Sequence, residues 1–152
     1  MVGGLKDARM KAKSSSNERR RTATLYASVA AGSVLGGLAR YLVALALQTG
    51  PGLPWSTLFI NATGSFVIGF YATLSGPDGR LFASAQQRQF VMTGFCGGYT
   101  TFSTFSLETF RLFHTGLALT ALANVLASVV CWLLAVWLGH TLAARLNRLK
   151  RD

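Results

Sequence analysis

The sequence predicts an all-α integral membrane protein of four transmembrane helices, the third of them broken. Three observations predict it. The 152-residue chain is 51% hydrophobic and only 13% charged, with a mean hydropathy of +0.38, a balance foreign to soluble domains. Four apolar runs each reach the length of about 20 residues that crosses a hydrocarbon core. The third run, uncharged between Arg88 and Glu108, carries glycine and hydroxyl residues at its centre, where a lipid anchor has no use for them.

Residues 1–22 hold Lys6, Arg9, Lys11, Lys13, Arg19, Arg20 and Arg21 among Ser and Asn, and read as a disordered basic cytoplasmic tail. Asp7 and Glu18 argue against an organelle presequence. The membrane domain spans residues 23–143. Its first helix is expected over residues 25–47, where Ser28, Gly32, Gly36 and Arg40 recur every fourth residue and form one stripe. Gly32 and Gly36 permit close approach by a neighbouring helix. A Gly/Pro loop at 48–54 leads to the second span, 55–74, which opens on Trp55, a residue suited to the membrane interface. Within it Asn61 and Ser65 share a face, and Ser65 and Gly69 repeat the small-residue spacing. A polar loop at 75–80 and an amphipathic piece at 81–88 precede the third span, 89–113. Gly97-Gly98 is expected to interrupt that span, since glycine disfavours helix, with a second half-helix from about Thr101. The last span covers 117–140, with Asn124, Ser128 and Trp132 on one stripe, and a basic tail, 144–152, follows.

The net charge of +10 belongs mostly to the two ends of the chain. Basic residues beside a membrane segment usually meet anionic headgroups, so no nucleic-acid partner is expected. With four spans both ends share one side, together with Arg80 and Arg88, against Arg111 on the other. The positive-inside rule then puts both tails in the cytoplasm; a multi-pass protein of the inner (plasma) membrane is expected. Cys96 and Cys131 lie in apolar runs without metal-motif spacing and read as small buried hydrophobes.

A helix interrupted inside a bilayer leaves N–H and C=O groups that protein, water or an ion must satisfy, which makes residues 94–106 the candidate site. Three stretches here, Gly36-Gly37-Leu38-Ala39-Arg40-Tyr41, Thr57 to Phe66 around Asn61, and Gly94 to Phe105, resemble the Fluc family of fluoride channels, and the likeness runs over residues 25–140. The resemblance implies a passive fluoride-selective channel that lowers intracellular fluoride. It implies an antiparallel dimer of four-helix subunits with two pores at the interface and a structural sodium ion at its centre. Matching positions assign Gly97 and Thr100 backbone carbonyls to sodium, and Phe102 and Phe105 to the fluoride pathway with Asn61, Ser103, Thr104 and Ser128. Arg40 and Glu108 match charged positions near the pore entrances. Asn124 stands where many members carry tyrosine. The charge bias favours one orientation, so the partner is either a second copy or an oppositely inserted homologue.

The chemistry of these residues suits the task. Fluoride holds its water tightly, and a pore must replace that water with donors without trapping the ion. Asn61 offers an amide, and Ser65, Ser103, Thr104 and Ser128 offer rotating hydroxyls; the plainer role for such groups is bonding to neighbouring helices. Phe102 and Phe105, three apart, share a helical face, and aromatic edges are the positive part of the ring. Such a pair on its own is ordinarily core packing. Freed carbonyls suit a hard cation, or else a kink satisfied by threonine hydroxyls or water. Glu108 calls for a screening partner, Arg111 or Arg40. The rival function is a proton-coupled cation or drug exporter of similar size, which needs an ionisable group deep in a span. Glu108 is the sole acidic residue within a span and lies towards its end. A non-transporting assembly subunit explains the glycine stripe but not the polar break. An intramembrane hydrolase needs a nucleophile and a base in reach of each other, and Ser65 with His114 and His140 at span ends makes a poor case, so no enzyme is expected.

Overall fold

The computed structural model describes residues 2–47, 52–77 and 79–149. Part of the expected 48–54 loop, Asp78 and the end of the basic C-terminal tail lie outside the described residues. The architecture is all-helical: α1 (Val2–Ala46), α2 (Trp55–Leu74), α3 (Ala85–Arg88), a π-helical stretch (Gln89–Cys96), α4 (Gly97–Tyr99), α5 (Phe102–His114) and α6 (Ala118–Arg148). Three helices, over Lys13–Ala46, Trp55–Leu74 and Ala118–Arg148, are long and apolar enough to cross a membrane. Burial runs opposite to that of a soluble protein. Val34, Leu38, Leu126 and Leu133 are exposed, while Asn61, Thr101, Asn124 and Ser128 are buried.

Helix α1 runs back to Val2, through residues expected to form a disordered tail. No proline interrupts it, and Ala, Lys, Arg, Met and Glu are favourable helix formers. Helical hydrogen bonding therefore propagates out of the apolar span. Residues 13–24 are exposed on every face. Likewise α6 continues to Arg148, into the stretch read as the C-terminal tail.

The glycine stripe of α1 packs against the π-helical stretch. A methyl group on Gly32 would stand 2.9 Å from Gly94 Cα and also collide with the Phe90 carbonyl. One on Gly36 would stand 2.8 Å from Tyr99 N and collide with the Phe95 carbonyl. Because Gly32 meets Phe90 and Gly36 meets Phe95, the two segments run parallel. Helix α2 packs chiefly on α6, with Gly69 against Val136 and Gly139 against Phe66. It runs antiparallel to the 85–114 segment, as Thr57 meets Glu108 and Asn61 meets Thr101.

Polar ties close the end that carries the 75–84 loop. Asn147 donates to the Thr73 carbonyl at 3.0 Å and accepts the Arg80 N–H at 3.0 Å. Ser84 and Gln87 form a reciprocal cap that starts α3. Arg88 donates to the Ser75 carbonyl and hydroxyl, which pins the loop beneath the π-helical stretch. At the other end Gly116, at φ +81°, makes the tight turn from α5 into α6.

Candidate functional site

The site forms where the chain between α4 and α5 leaves helical geometry. Thr100 and Thr101 are extended, at φ/ψ of −75°/158° and −148°/117°. Gly97-Gly98 was the expected breakpoint, yet Gly97 itself is helical, at −65°/−35°. Gly98 serves close packing instead, since a methyl there would sit 2.8 Å from Ser33 Cα. Gly97 faces open space.

What holds the two threonines extended is Asn61, forty residues away on α2. Its Oδ1 accepts the Thr101 N–H at 2.7 Å, and its Nδ2 donates to the Thr101 carbonyl at 2.9 Å. In a continuous helix that N–H would go to the Gly97 carbonyl. Among the N–H groups that follow, that of Thr104, which a helix would send to the Thr100 carbonyl, is recaptured locally. It goes instead to the Thr101 hydroxyl at 3.1 Å, making Thr101 the N-cap of α5. The Thr101 hydroxyl also bonds Thr104 Oγ1 at 2.9 Å and approaches Ser103 Oγ at 3.3 Å. The carbonyls of Gly97, Gly98, Tyr99 and Thr100 thus all lose their regular helical donors, the two expected residues Gly97 and Thr100 among them.

Four of the expected residues, Asn61, Gly97, Thr100 and Phe102, line one open cavity of about 560 Å³, with Ser65, Thr101 and Trp132. No charged side chain lines it. Ser103 and Thr104 are exposed at its edge and connect to it through Thr101. Phe102 is 72% exposed, whereas Phe105, its ring centroid 5.6 Å away, is 7% exposed. Phe105 meets the Trp132 ring edge-on at 5.0 Å and lines a second cleft of about 660 Å³ with Thr109, Ala121 and Val125. The phenylalanine pair therefore stands between two clefts. Ser128 is buried on α6 and lines neither.

The charged candidates lie apart from the cavity wall. Glu108 Oε1 accepts from the Thr57 hydroxyl at 2.9 Å, one turn before Asn61 on α2. The Thr57 hydroxyl is its hydrogen-bond partner, while Arg111, one of the two expected screening partners, acts on the carboxylate through its charge; Glu108 Oε2 is buried with no hydrogen-bond partner among the described residues. Arg40 is half-buried on α1. Asn124, buried at 2% exposure, donates to Thr109 Oγ1 at 2.8 Å, and that hydroxyl donates to the Phe105 carbonyl at 2.8 Å. Cys96 is buried and Cys131 half-buried, both as free thiols.

Thr57, Thr101 and Thr109 were given no role from the sequence. Thr101 had a readable signal, a threonine three residues before Thr104 at the start of an amphipathic run. The other two announce themselves only through long-range contacts.

Helices that turn leucine outward and gather amides, hydroxyls and aromatic rings around an uncharged cleft define an all-helical, multi-pass membrane protein. The chain belongs to the CrcB family, whose model, described as CrcB-like protein, Camphor Resistance (CrcB), matches residues 27–140. A Bradyrhizobium diazoefficiens protein named Fluoride-specific ion channel FluC 1 is 73% identical over 138 residues, 91% of this chain and 97% of its own. A Rhodopseudomonas palustris protein of the same name is 67% identical, covering 88% of this chain and 96% of its own. Fluoride-specific ion channel FluC of Rhodospirillum rubrum is 53% identical, over 80% of this chain and 96% of its own.

Proposed function

We propose that the protein is a passive fluoride-selective channel that lowers intracellular fluoride. The observation that carries the assignment is the uncharged cavity at Thr100–Thr101, where donors and aromatic rings meet, in a chain 73% identical to a protein named a fluoride-specific channel. Fluoride is drawn there by N–H and O–H dipoles that substitute for water, and no fixed positive charge in the cavity wall holds it back. Asn61 keeps one amide hydrogen beyond its bond to Thr101. Ser103 and Thr104 supply hydroxyls, and Phe102 and Phe105 carry the ion along their ring edges past Ser128. Arg40 and Glu108 tune the entrances.

In this reading residues 85–114 form the third transmembrane element, broken at its middle, and two subunits meet across the open cavity as an antiparallel dimer with two pores. Exposed Phe102 and the openness of the cavity support a second subunit there. The second subunit is another copy or an oppositely inserted homologue. Gly97 and Thr100 fit a structural sodium ion. Their carbonyls lose helical donors, and oxygen ligands suit a hard cation. Among the described residues no cluster of His, Cys, Asp and Glu offers an alternative metal site. The ion would supply a positive charge to meet these carbonyl oxygens. Both chain ends face the cytoplasm across the inner (plasma) membrane, on the charge bias of the loops.

The test is ion release from liposomes that contain the purified protein. Rapid fluoride release with little chloride release is expected. Equal release of both ions, or none at any protein density, refutes the assignment, and transport driven by a proton gradient points to an exporter.

A further inference from the structure

We propose that the indole N–H of Trp132 is a further anion-binding group, donating to fluoride as the ion moves between the open cavity and Phe105. This assignment rests on the fluoride-channel function proposed above. Trp132 Nε1 is shut off from solvent and has no hydrogen-bond partner among the described residues. An indole nitrogen can only donate. A buried donor left unpaired is costly, and one that survives in a fold calls for an acceptor the fold itself does not hold. Among the described residues the other buried side-chain atom without a partner, Glu108 Oε2, is an acceptor, and the two are not bonded to each other.

Position tells what the acceptor is. The Trp132 side chain lines the same cavity as Asn61 and Phe102. Its ring also packs edge-on with Phe105, 5.0 Å between centroids, so one residue spans the gap between the cavity and the second cleft that Phe105 lines. It stands one helical turn beyond Ser128 on α6, facing Phe105 of α5. The wall contains no carboxylate to compete for the N–H. A neutral donor in an uncharged wall binds a small anion without holding it as a cation would, which is what permeation requires. Phe102 then offers a ring edge and Trp132 a true hydrogen bond to an ion in the same cavity, with Phe105 packed against the indole on the way to the second cleft.

Trp132→Phe removes the N–H and keeps an aromatic ring against Phe105. In full-length protein in liposomes it is expected to slow fluoride release about tenfold to a hundredfold, the weight of one hydrogen bond to a charged group, with an unchanged gel-filtration profile. The second measurement is the indole N–H resonance of Trp132 in 15N-labelled wild type, identified by its loss in Trp132→Phe against Trp55 and Trp137. It should move on addition of sodium fluoride and stay put in sodium chloride. Unchanged release by Trp132→Phe, or a resonance indifferent to fluoride while wild type conducts, overturns the proposal. An altered elution profile with an unmoved resonance does so too, since the acceptor is then a protein group of a second subunit. If wild-type liposomes release no fluoride, the channel function fails first and the assignment to Trp132 falls with it.

Discussion

Replacing Asn61 with alanine tests the lock that keeps Thr100 and Thr101 out of helix. Asn61 is 5% exposed and Thr101 7%, and the two share bonds of 2.7 and 2.9 Å. Asn61→Ala strips both bonds and leaves the buried Thr101 N–H and carbonyl without them. A buried polar group left unpaired costs about 1–3 kcal/mol. Interhelical bonds within membranes measure lower, about 0.6–2 kcal/mol. Two such losses give a destabilisation of about 1–4 kcal/mol. Part is recovered if Thr101 turns back into helix and donates to Gly97, but that closes the break and removes the cavity geometry, so fluoride release falls in either event. Asn61→Asp retains an acceptor for the Thr101 N–H yet sets a carboxylate oxygen against the Thr101 carbonyl, and should lose at least as much. The assay is reversible unfolding in mixed micelles of rising dodecyl sulfate fraction, followed by tryptophan fluorescence, with fluoride release measured on the same preparations. An Asn61→Ala protein within about 0.5 kcal/mol of wild type, the range of an indifferent substitution, and with normal release would refute the lock.

Two further outcomes follow from the packing. Gly32→Ala drives a methyl group into the Phe90 carbonyl and to 2.9 Å from Gly94 Cα, both backbone atoms that cannot rotate away; overpacking of this kind costs about 1–3 kcal/mol, read by the same unfolding assay, and a neutral result would mean that α1 and the π-helical stretch are farther apart. Thr57→Val leaves both oxygens of Glu108 without a donor, a loss of about 1–3 kcal/mol that Thr57→Ser should restore; if serine behaves like valine, the 2.9 Å contact between Thr57 and Glu108 is not what matters at that position.

Local patterns were readable in the sequence because they follow helical periodicity. The four-residue step from Gly32 to Gly36 announced a close helix contact, and the structure supplies it at Phe90 and Phe95. The apolar lengths of α1, α2 and α6 followed from composition in the same way. The breakpoint was legible only in part: the second half-helix starts from its Thr101 cap as expected, but the first runs past Gly97 to Tyr99. Glycine preference pointed at Gly97-Gly98, but the extended residues are Thr100 and Thr101, because an asparagine on another helix captures the Thr101 amide. No local propensity encodes a partner forty residues away. The helical course of residues 2–22 was missed for another reason. Composition alone argued for disorder, and composition does not record that an adjoining helix lends the costly nucleus. Of the site, the cavity-lining role of Asn61 and Phe102 was legible, whereas the hydroxyl partner of Glu108 and the Asn124–Thr109 tie behind Phe105 depend on tertiary contacts.

The contact between α1 and the π-helical stretch sets two unlike periods against each other. The glycines of α1 are four residues apart, while the carbonyls they meet, of Phe90 and Phe95, are five apart. Each interval is one turn of its own helix, bonded i to i+4 on α1 and i to i+5 on the π-helical side. The two segments mesh turn for turn, like gears with different tooth counts. Wound as an ordinary α-helix, the same sequence would bring Gly94 round in place of Phe95 against Gly36, and everything downstream would rotate by about 100°, one residue's worth of helical twist. Thr100 and Thr101 would then turn away from Asn61. The extra residue in each π-helical turn thus sets the bearing of the polar cleft that follows it.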